Sequence, residues 1–366
     1  MTQKAFIGID SILKLKEIIR QCAPQKVMLV RDAQSYSICG AQAVVNATLK
    51  QIQFVDFFDF QQNPKIEDVQ NGLAILEKEN VDLIIGIGGG SVLDMAKLIR
   101  FLHSYNVDES FKIQGKKCEL IPLMLLPTTA GTGAEATHFA VIYKDKKKYS
   151  LAHEDVLANY AFIYPTFTYQ IPAYITACTG FDALAQAIEA YWNVNANDES
   201  DLYAEKAIGL LVNNLSKAVH KPNEEVRNKI AEGAYWAGRA INITKTTAPH
   251  AFSYPYTTYY GLPHGHAVAM TFSQFLALNY GNEENYIGKR PLEEHHQRMD
   301  RLYSWLHIDN QTTAIQQMSA FILDLGLSLA DPQAFDSKLI LDNVNMERLG
   351  NNPVRVKTKV LYKNQN

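Results

Sequence analysis

Asp182 and Gln186 stand four residues apart in GFDALAQAIEAYW (residues 180–192), an apolar, alanine-rich run of helical character. Residues four apart on a helix share a face, so the acid and the amide point the same way. Further along, TTAPHAFSYPYTTYYGLPHGHAVAM carries His250, His264 and His266 within seventeen residues. Imidazoles on adjacent elements, with a carboxylate from another helix, are candidate metal ligands by residue type. Hydrogen-bonded histidines of an ordinary core are the alternative.

A different chemistry is suggested by VDLIIGIGGGSVLDMAK (81–97). A strand-like apolar run leads into Gly86, Gly88, Gly89, Gly90 and Ser91, and a helix-like run follows at once. Glycines let a backbone approach a phosphate, and the amides and dipole of a helix start attract the anion. That context points to phosphate or dinucleotide binding by Gly88, Gly89, Gly90 and Ser91. It departs from the usual fingerprint, because Ser91 stands where a third glycine would fall and the motif follows a third strand rather than a first. LLPTTAGTGAEAT (125–137) sets Thr128, Thr129 and Thr132 with Gly131 and Gly133 at another strand end, where hydroxyls suit a second phosphate or ribose contact. Asp32, after the strand-like KVMLVR, is the acid nearest to a ribose-binding role. A turn or helix-cap aspartate is the alternative there.

The elements that must position these residues alternate in the first half. Strand-like runs at 26–32, 54–60, 81–88 and 120–128 enclose helix-like stretches at 40–51, at 66–80 and from Ser91 onward. Within 66–80, Val69, Leu73 and Leu76 fall on one helical face. Such alternation predicts a parallel sheet covered on both faces. Beyond about residue 168 the periods become helical, as in ESDLYAEKAIGLLVNNLSKAVH and NEEVRNKIAEGAYWAGRAI. The expectation is an α/β dinucleotide-binding domain over 1–168 and an all-α domain over 169–366, joined near YPTFTYQIP.

Thirty-five basic against 38 acidic residues leave a net charge of −3, which makes no electrostatic case for a nucleic-acid partner. The basic run YKDKKKYS (143–150) is expected to be a solvated hairpin, and its Lys148 is counted with the candidate cofactor contacts. Cys22, Cys39, Cys118 and Cys178 are scattered and form no CxxC pair. No apolar stretch reaches membrane-spanning length, and MTQKAFIGID lacks a long apolar core. A reduced, cytoplasmic protein with no membrane partner is expected.

Taken together and in this order, FIGIDSILKL, GIGGGSVLDMAK, LPTTAGTGAEAT, GFDALAQAIEAYW and HAFSYPYTTYYGLPHGHAVA resemble the iron-containing (group III) alcohol dehydrogenase family over nearly the whole chain. The resemblance implies that family's architecture, shared with dehydroquinate synthase: an α/β N-terminal dinucleotide-binding domain plus an all-α C-terminal domain. It further implies an NAD(P)-dependent alcohol dehydrogenase or aldehyde reductase, with NAD(H) or NADP(H), a divalent metal (Fe2+ or Zn2+) and a homodimer. The pyrophosphate would lie on Gly88 to Ser91, with Asp94, Thr128 and Thr129 nearby. Asp182 matches the family's aspartate ligand, and His250 and His264, fourteen apart, match its later histidine pair.

Three positions depart from the family pattern. Gln186 falls where a second helical ligand is a histidine, and an amide oxygen is a weaker donor than imidazole for iron or zinc. The site would then hold its metal weakly with Gln186 or water in fourth place, hold it by three ligands, or hold none. Tyr254 replaces a histidine often assigned to proton relay; Tyr254 or His266 would deliver the proton. Lys245 stands where a small residue is common and, with Arg239, would suit an anionic substrate. The pattern looks most like the phosphonoacetaldehyde reductase branch, which forms 2-hydroxyethylphosphonate. A dehydroquinate-synthase-like lyase using NAD transiently, a general short-chain alcohol dehydrogenase and a non-catalytic nucleotide-binding module are the alternatives.

Overall fold

The computed structural model of the chain describes residues 3–145, 147–329 and 334–356. The chain divides into two compact units, Met1–Ile171 and Pro172–Asn366. The expected helical domain runs to 366, and its residues 357–366 lie outside the described residues.

The strands of the first unit are β1 (Lys4–Ile7), β2 (Lys26–Arg31), β3 (Gln53–Phe57), β4 (Leu83–Gly88), the short pair β5 (Tyr105–Val107) and β6 (Ile113–Lys116), β7 (Leu123–Pro127), the hairpin β8 (Phe139–Lys144) and β9 (Lys147–Ala152), and β10 (Tyr160–Ile163). Six form one sheet in the order β1-β10-β7-β4-β2-β3, with every neighbouring pair parallel. Alternate residues serve opposite layers. Met28, Val30, Ile84 and Leu125 join one core with α4 (Ile66–Glu79) and α5 (Gly90–Ser104). Val27, Leu29, Leu83, Ile85 and Leu126 join the other with α1 (Ser11–Cys22), α2 (Ser35–Ile38) and α3 (Ala41–Thr48). Burial on both faces is why the central strands read as unbroken apolar runs.

The helix expected over 40–51 is α3, which starts directly after Gly40, whose left-handed conformation (φ 82°) separates it from the short α2 that no sequence pattern announced. β1 and β10, four residues each, are too short to show a period, and no local pattern announced them. The chain passes from β2 to β3 on one side and returns to β4 on the other. Loops leaving β2 and β4 therefore diverge, which opens a crevice at the carboxyl ends of these strands.

The second unit is helical: α6 (Ala173–Trp192), α7 (Asp198–Val212), α8 (Leu215–His220), α9 (Glu224–Thr244), α10 (Ala248–Tyr260), α11 (His264–Leu278), α12 (Leu292–Trp305), α13 (Ala314–Asp324), α14 (Ser337–Asp342) and α15 (Met346–Leu349). Proline shapes the pair that carries the histidines. Pro249 sits in the first turn of α10, where a missing N–H costs nothing, and Pro263 immediately precedes α11. Pro255 lies inside α10 and cannot donate to the Ala251 carbonyl, which accepts from the Asn345 N–H at 3.2 Å instead. Among the described residues no helix is long and apolar enough to cross a membrane.

Candidate active site and metal centre

In the first unit the sheet gathers three separate stretches on one edge. β4 lies between β2 and β7, with Arg31 opposite Ile87 and Pro127 opposite Gly88. Asp32, the Gly88–Ser91 turn and Thr128 thus follow the carboxyl ends of three adjacent strands. The Thr128 N–H donates to the Gly88 carbonyl at 2.9 Å, tying the two loops together. Gly90 opens α5 under Thr132, whose Oγ1 would lie 2.8 Å from a Cβ placed there, so only glycine permits that approach. Thr128 is buried, and its Oγ1 has no hydrogen-bond partner among the described residues. Such a hydroxyl beside the first amides of a helix fits a phosphate or ribose oxygen.

Other candidates of this unit have protein partners. Asp32 receives hydrogen bonds from the Gln34 N–H at 2.9 Å and from both the N–H and hydroxyl of Ser35, the geometry of a turn and cap. Ser91 Oγ accepts from the Asn63 N–H at 3.2 Å. Asp94 accepts from the Val141 N–H at 3.0 Å, and its carboxyl is raised by burial, with Lys97 and Lys148 acting in the opposite direction. Buried Lys97 donates to Thr137 Oγ1 at 3.0 Å and to the Phe139 carbonyl at 2.9 Å, fastening α5 to the β8–β9 hairpin that carries Lys148.

In the second unit Asp182 from α6, His250 from α10 and His264 from α11 each offer an atom to a cluster whose members lie within 4.8 Å of one another. His250 Nε2 is 3.1 Å and His264 Nε2 3.9 Å from the same Asp182 oxygen. Asp182 and His250 are buried, while the His264 side chain is 34% exposed, leaving one side open to an incoming molecule. Burial acts to raise the Asp182 carboxyl, but His264, His250 and Gln186 outweigh it and hold the group below its ordinary value. For His250, burial disfavours the charged ring, yet Glu189 and Asp182 prevail and push it up to about 10. Gln186 is buried one helical turn beyond Asp182, and its Oε1 has no hydrogen-bond partner among the described residues. A carboxylate and two imidazoles whose donor atoms lie within 4.8 Å of one another fit a divalent cation, which would replace the proton at His250 Nε2, and the Gln186 side chain hydrogen-bonds the same carboxylate.

Tyr254, one turn after His250 on α10, places its ring 6.3 Å from that of His264. His266 is engaged at both nitrogens. Its Nε2 meets the Ser328 carbonyl at 2.8 Å and must donate there, and its Nδ1 meets the Tyr174 hydroxyl at 2.9 Å. Lys245 closes α9 with φ 62° and ψ −173°, a strained conformation for a non-glycine residue, and its ammonium pairs with Glu347 at 2.7 Å. Arg239 is directed elsewhere, to the hydroxyls of Tyr235 and Tyr203 at 3.3 and 3.1 Å.

Two residues that sequence reasoning passed over help to build this centre. Gly265 lies against α6, where a Cβ would stand 1.9 Å from the Cys178 carbonyl oxygen and 3.0 Å from Asp182 Cβ. Its absence lets α11 bring His264 up to Asp182. Glu189 shares the α6 face with Asp182 and Gln186, seven and three residues on, and is fully buried against His250 Nδ1. The 182–186–189 spacing was the available signal.

Comparison with known proteins follows the same division. Residues 2–165 match the family described as "Iron-containing alcohol dehydrogenase", and residues 176–336 match "Fe-containing alcohol dehydrogenase family, C-terminal". A long-chain-alcohol dehydrogenase of Geobacillus thermodenitrificans is 28% identical over 94% of this chain and 89% of its own length. A 4-hydroxybutyrate dehydrogenase of Clostridium kluyveri is 32% identical over 62% of each chain. Among solved structures, sulfoacetaldehyde reductase from Bifidobacterium kashiwanohense in complex with NAD+ superposes with a TM-score of 0.85 at 25% identity, covering 99% of this chain and 95% of its own.

Proposed function

Because this chain belongs to the iron-containing alcohol dehydrogenase family and is an alcohol dehydrogenase-type oxidoreductase, we propose that it reduces a small anionic aldehyde to the alcohol with NADH or NADPH, phosphonoacetaldehyde being the leading candidate. The observation that carries the reading is the Asp182–His250–His264 cluster with the orphaned Gln186 oxygen beside it. The anionic preference is supported by two of the similar proteins, whose names denote substrates bearing a sulfonate and a carboxylate.

Asp182, His250 and His264, with Gln186, would hold the metal. Gly88 to Ser91, Thr128, Thr129 and Thr132 would hold the dinucleotide pyrophosphate at the start of α5, with Asp94 and Lys148 nearby. When bound, the metal supplies Lewis-acid polarisation of a carbonyl and the reduced nicotinamide supplies hydride. Tyr254 is the proton donor in this reading, because its ring lies 6.3 Å from that of His264 in the proposed metal cluster. Its hydroxyl donates to the oxygen that becomes the alcohol. Lys245 receives the substrate's anionic group, exchanging it for Glu347. Both members of that pair are substantially exposed, and exposed pairs contribute only about 0.2–1 kcal/mol, so the exchange costs little.

The test is an assay of NADH and NADPH oxidation with Fe2+ or Zn2+ supplied, over phosphonoacetaldehyde, sulfoacetaldehyde, succinic semialdehyde, acetaldehyde and propanal. The reading predicts a kcat/KM for the anionic aldehydes at least tenfold above that for the neutral ones. Equal rates across the panel would remove the anionic assignment, and no turnover with any aldehyde would remove the reductase.

A further inference from the structure

We infer that Glu189 is a positioning residue that fixes the ring of His250 for the metal, an inference resting on the reading of Asp182, His250 and His264 as metal ligands. Glu189 is completely buried on α6, and three donors converge on it. His250 Nδ1 meets Oε1, while Oε2 accepts from the Thr247 N–H at 2.6 Å and from the Thr247 hydroxyl at 2.9 Å. The Thr247 hydroxyl in turn accepts from Trp192 Nε1 at 2.9 Å, so its own proton is directed to Glu189.

These contacts decide which nitrogen of His250 carries the proton. A carboxylate can only accept, so Nδ1 must donate to Glu189 and keep its proton, and Nε2, the nitrogen 3.1 Å from Asp182, is the one that can give up its proton and offer a lone pair to a metal. A hydrogen-bonded carboxylate behind a ligating imidazole fixes its orientation and raises its basicity. Thr247 immediately precedes α10, so the same carboxylate anchors the start of the helix on which His250 lies one turn in. A bare buried carboxylate would be strongly disfavoured; three donors make this one tenable. A glutamine cannot reproduce the arrangement. It would present N–H to His250, reversing the ring's tautomer, or N–H to the Thr247 amide, opposing two donors.

The experiment compares wild type, Glu189→Gln and Thr247→Val, each full-length and stripped of metal, by competition titration with Zn2+ and a chromophoric chelator, with the melting temperature of each apo protein measured in parallel. Glu189→Gln is expected to weaken Zn2+ binding by about 10–100-fold. Thr247→Val, which loses the hydroxyl's bonds to the far oxygen and to Trp192 Nε1 but keeps the Thr247 N–H, is expected to melt lower yet bind Zn2+ within about threefold of wild type. A purely structural Glu189 would instead give Glu189→Gln wild-type affinity, or make Thr247→Val lose as much affinity as Glu189→Gln; either result overturns the inference. Should Glu189→Gln fail to fold, 15N-histidine NMR of Zn2+-loaded wild type decides: a protonated Nδ1 with a zinc-bound Nε2 supports the inference, and the reverse overturns it. Wild type that takes up no Zn2+ removes the metal reading itself, whereas equal affinities in wild type and Glu189→Gln remove only the role of Glu189.

Discussion

The two candidate sites are built in opposite ways. The dinucleotide edge of the first unit is made largely of backbone, from loops that follow adjacent parallel strands β2, β4 and β7. The metal centre of the second is made of side chains from three helices, with Asp182 and His250 68 positions apart in sequence. A backbone site tolerates variation in its side chains as long as its glycines remain. A side-chain site depends on how closely its helices approach and on what holds each ligand from behind. Substitutions at the two should therefore fail differently.

The largest effect is expected at Asp182, whose single oxygen faces both histidines. Asp182→Ala should lower metal affinity and turnover by more than the ~10–100-fold typical of losing a ligand's hydrogen-bonded support, read by metal analysis and NADH oxidation. A preserved metal content would show that the cluster is not the centre. Next comes a matched pair of glycines. Gly265→Ala drives a Cβ into a backbone carbonyl, which cannot yield without moving a helix, and should cost about 1–3 kcal/mol together with metal affinity. Gly90→Ala meets the Thr132 side chain instead and should weaken NADH binding while leaving metal uptake intact. Thermal melts with nucleotide and Zn2+ titrations separate the two, and equal losses of both ligands in both variants would erase the contrast.

Gln186→His sharpens the comparison from the other side. Exchanging an orphaned amide oxygen for imidazole should tighten metal binding by roughly tenfold, or about 1.4 kcal/mol; an unchanged affinity would mean that position 186 does not reach the metal. Thr128→Val should leave stability unchanged, since its hydroxyl has no partner among the described residues, and weaken NADH binding by the ~0.5–1.5 kcal/mol of one hydrogen bond. The smallest change in ligand binding is expected for Lys245→Gly, which relieves a conformation costing about 1–3 kcal/mol while deleting the ammonium. It should melt higher and show a raised KM for anionic aldehydes alone. A KM raised equally for neutral aldehydes would sink the role of Lys245.

The dinucleotide edge was the more legible of the two because its signal is local. VDLIIGIGGGSVLDMAK contains the strand, the turn and the helix that give its glycines meaning, and only the adjacency of Thr128 and Asp32 awaited the sheet order. Asp32 illustrates the limit: its type and place suit a ribose, yet Gln34 and Ser35, two and three residues on, already engage it. In the helical unit the ligand types and the face shared by Asp182 and Gln186 were visible in sequence. What lay behind them was not.

Residue order alone determined the alternation of strand and helix, the glycine turn, and which side chains could ligate a metal, because each depends on neighbours within a few turns of chain. Tertiary structure decided that His266 is spent on Ser328 and Tyr174, that Lys245 faces Glu347, and that Glu189 stands behind His250. Those outcomes depend on partners 102 residues away for Lys245 and 61 for Glu189. A hydrogen bond is directional and short-ranged, so a residue's type says what it can donate or accept, and only the packing of distant helices says to whom.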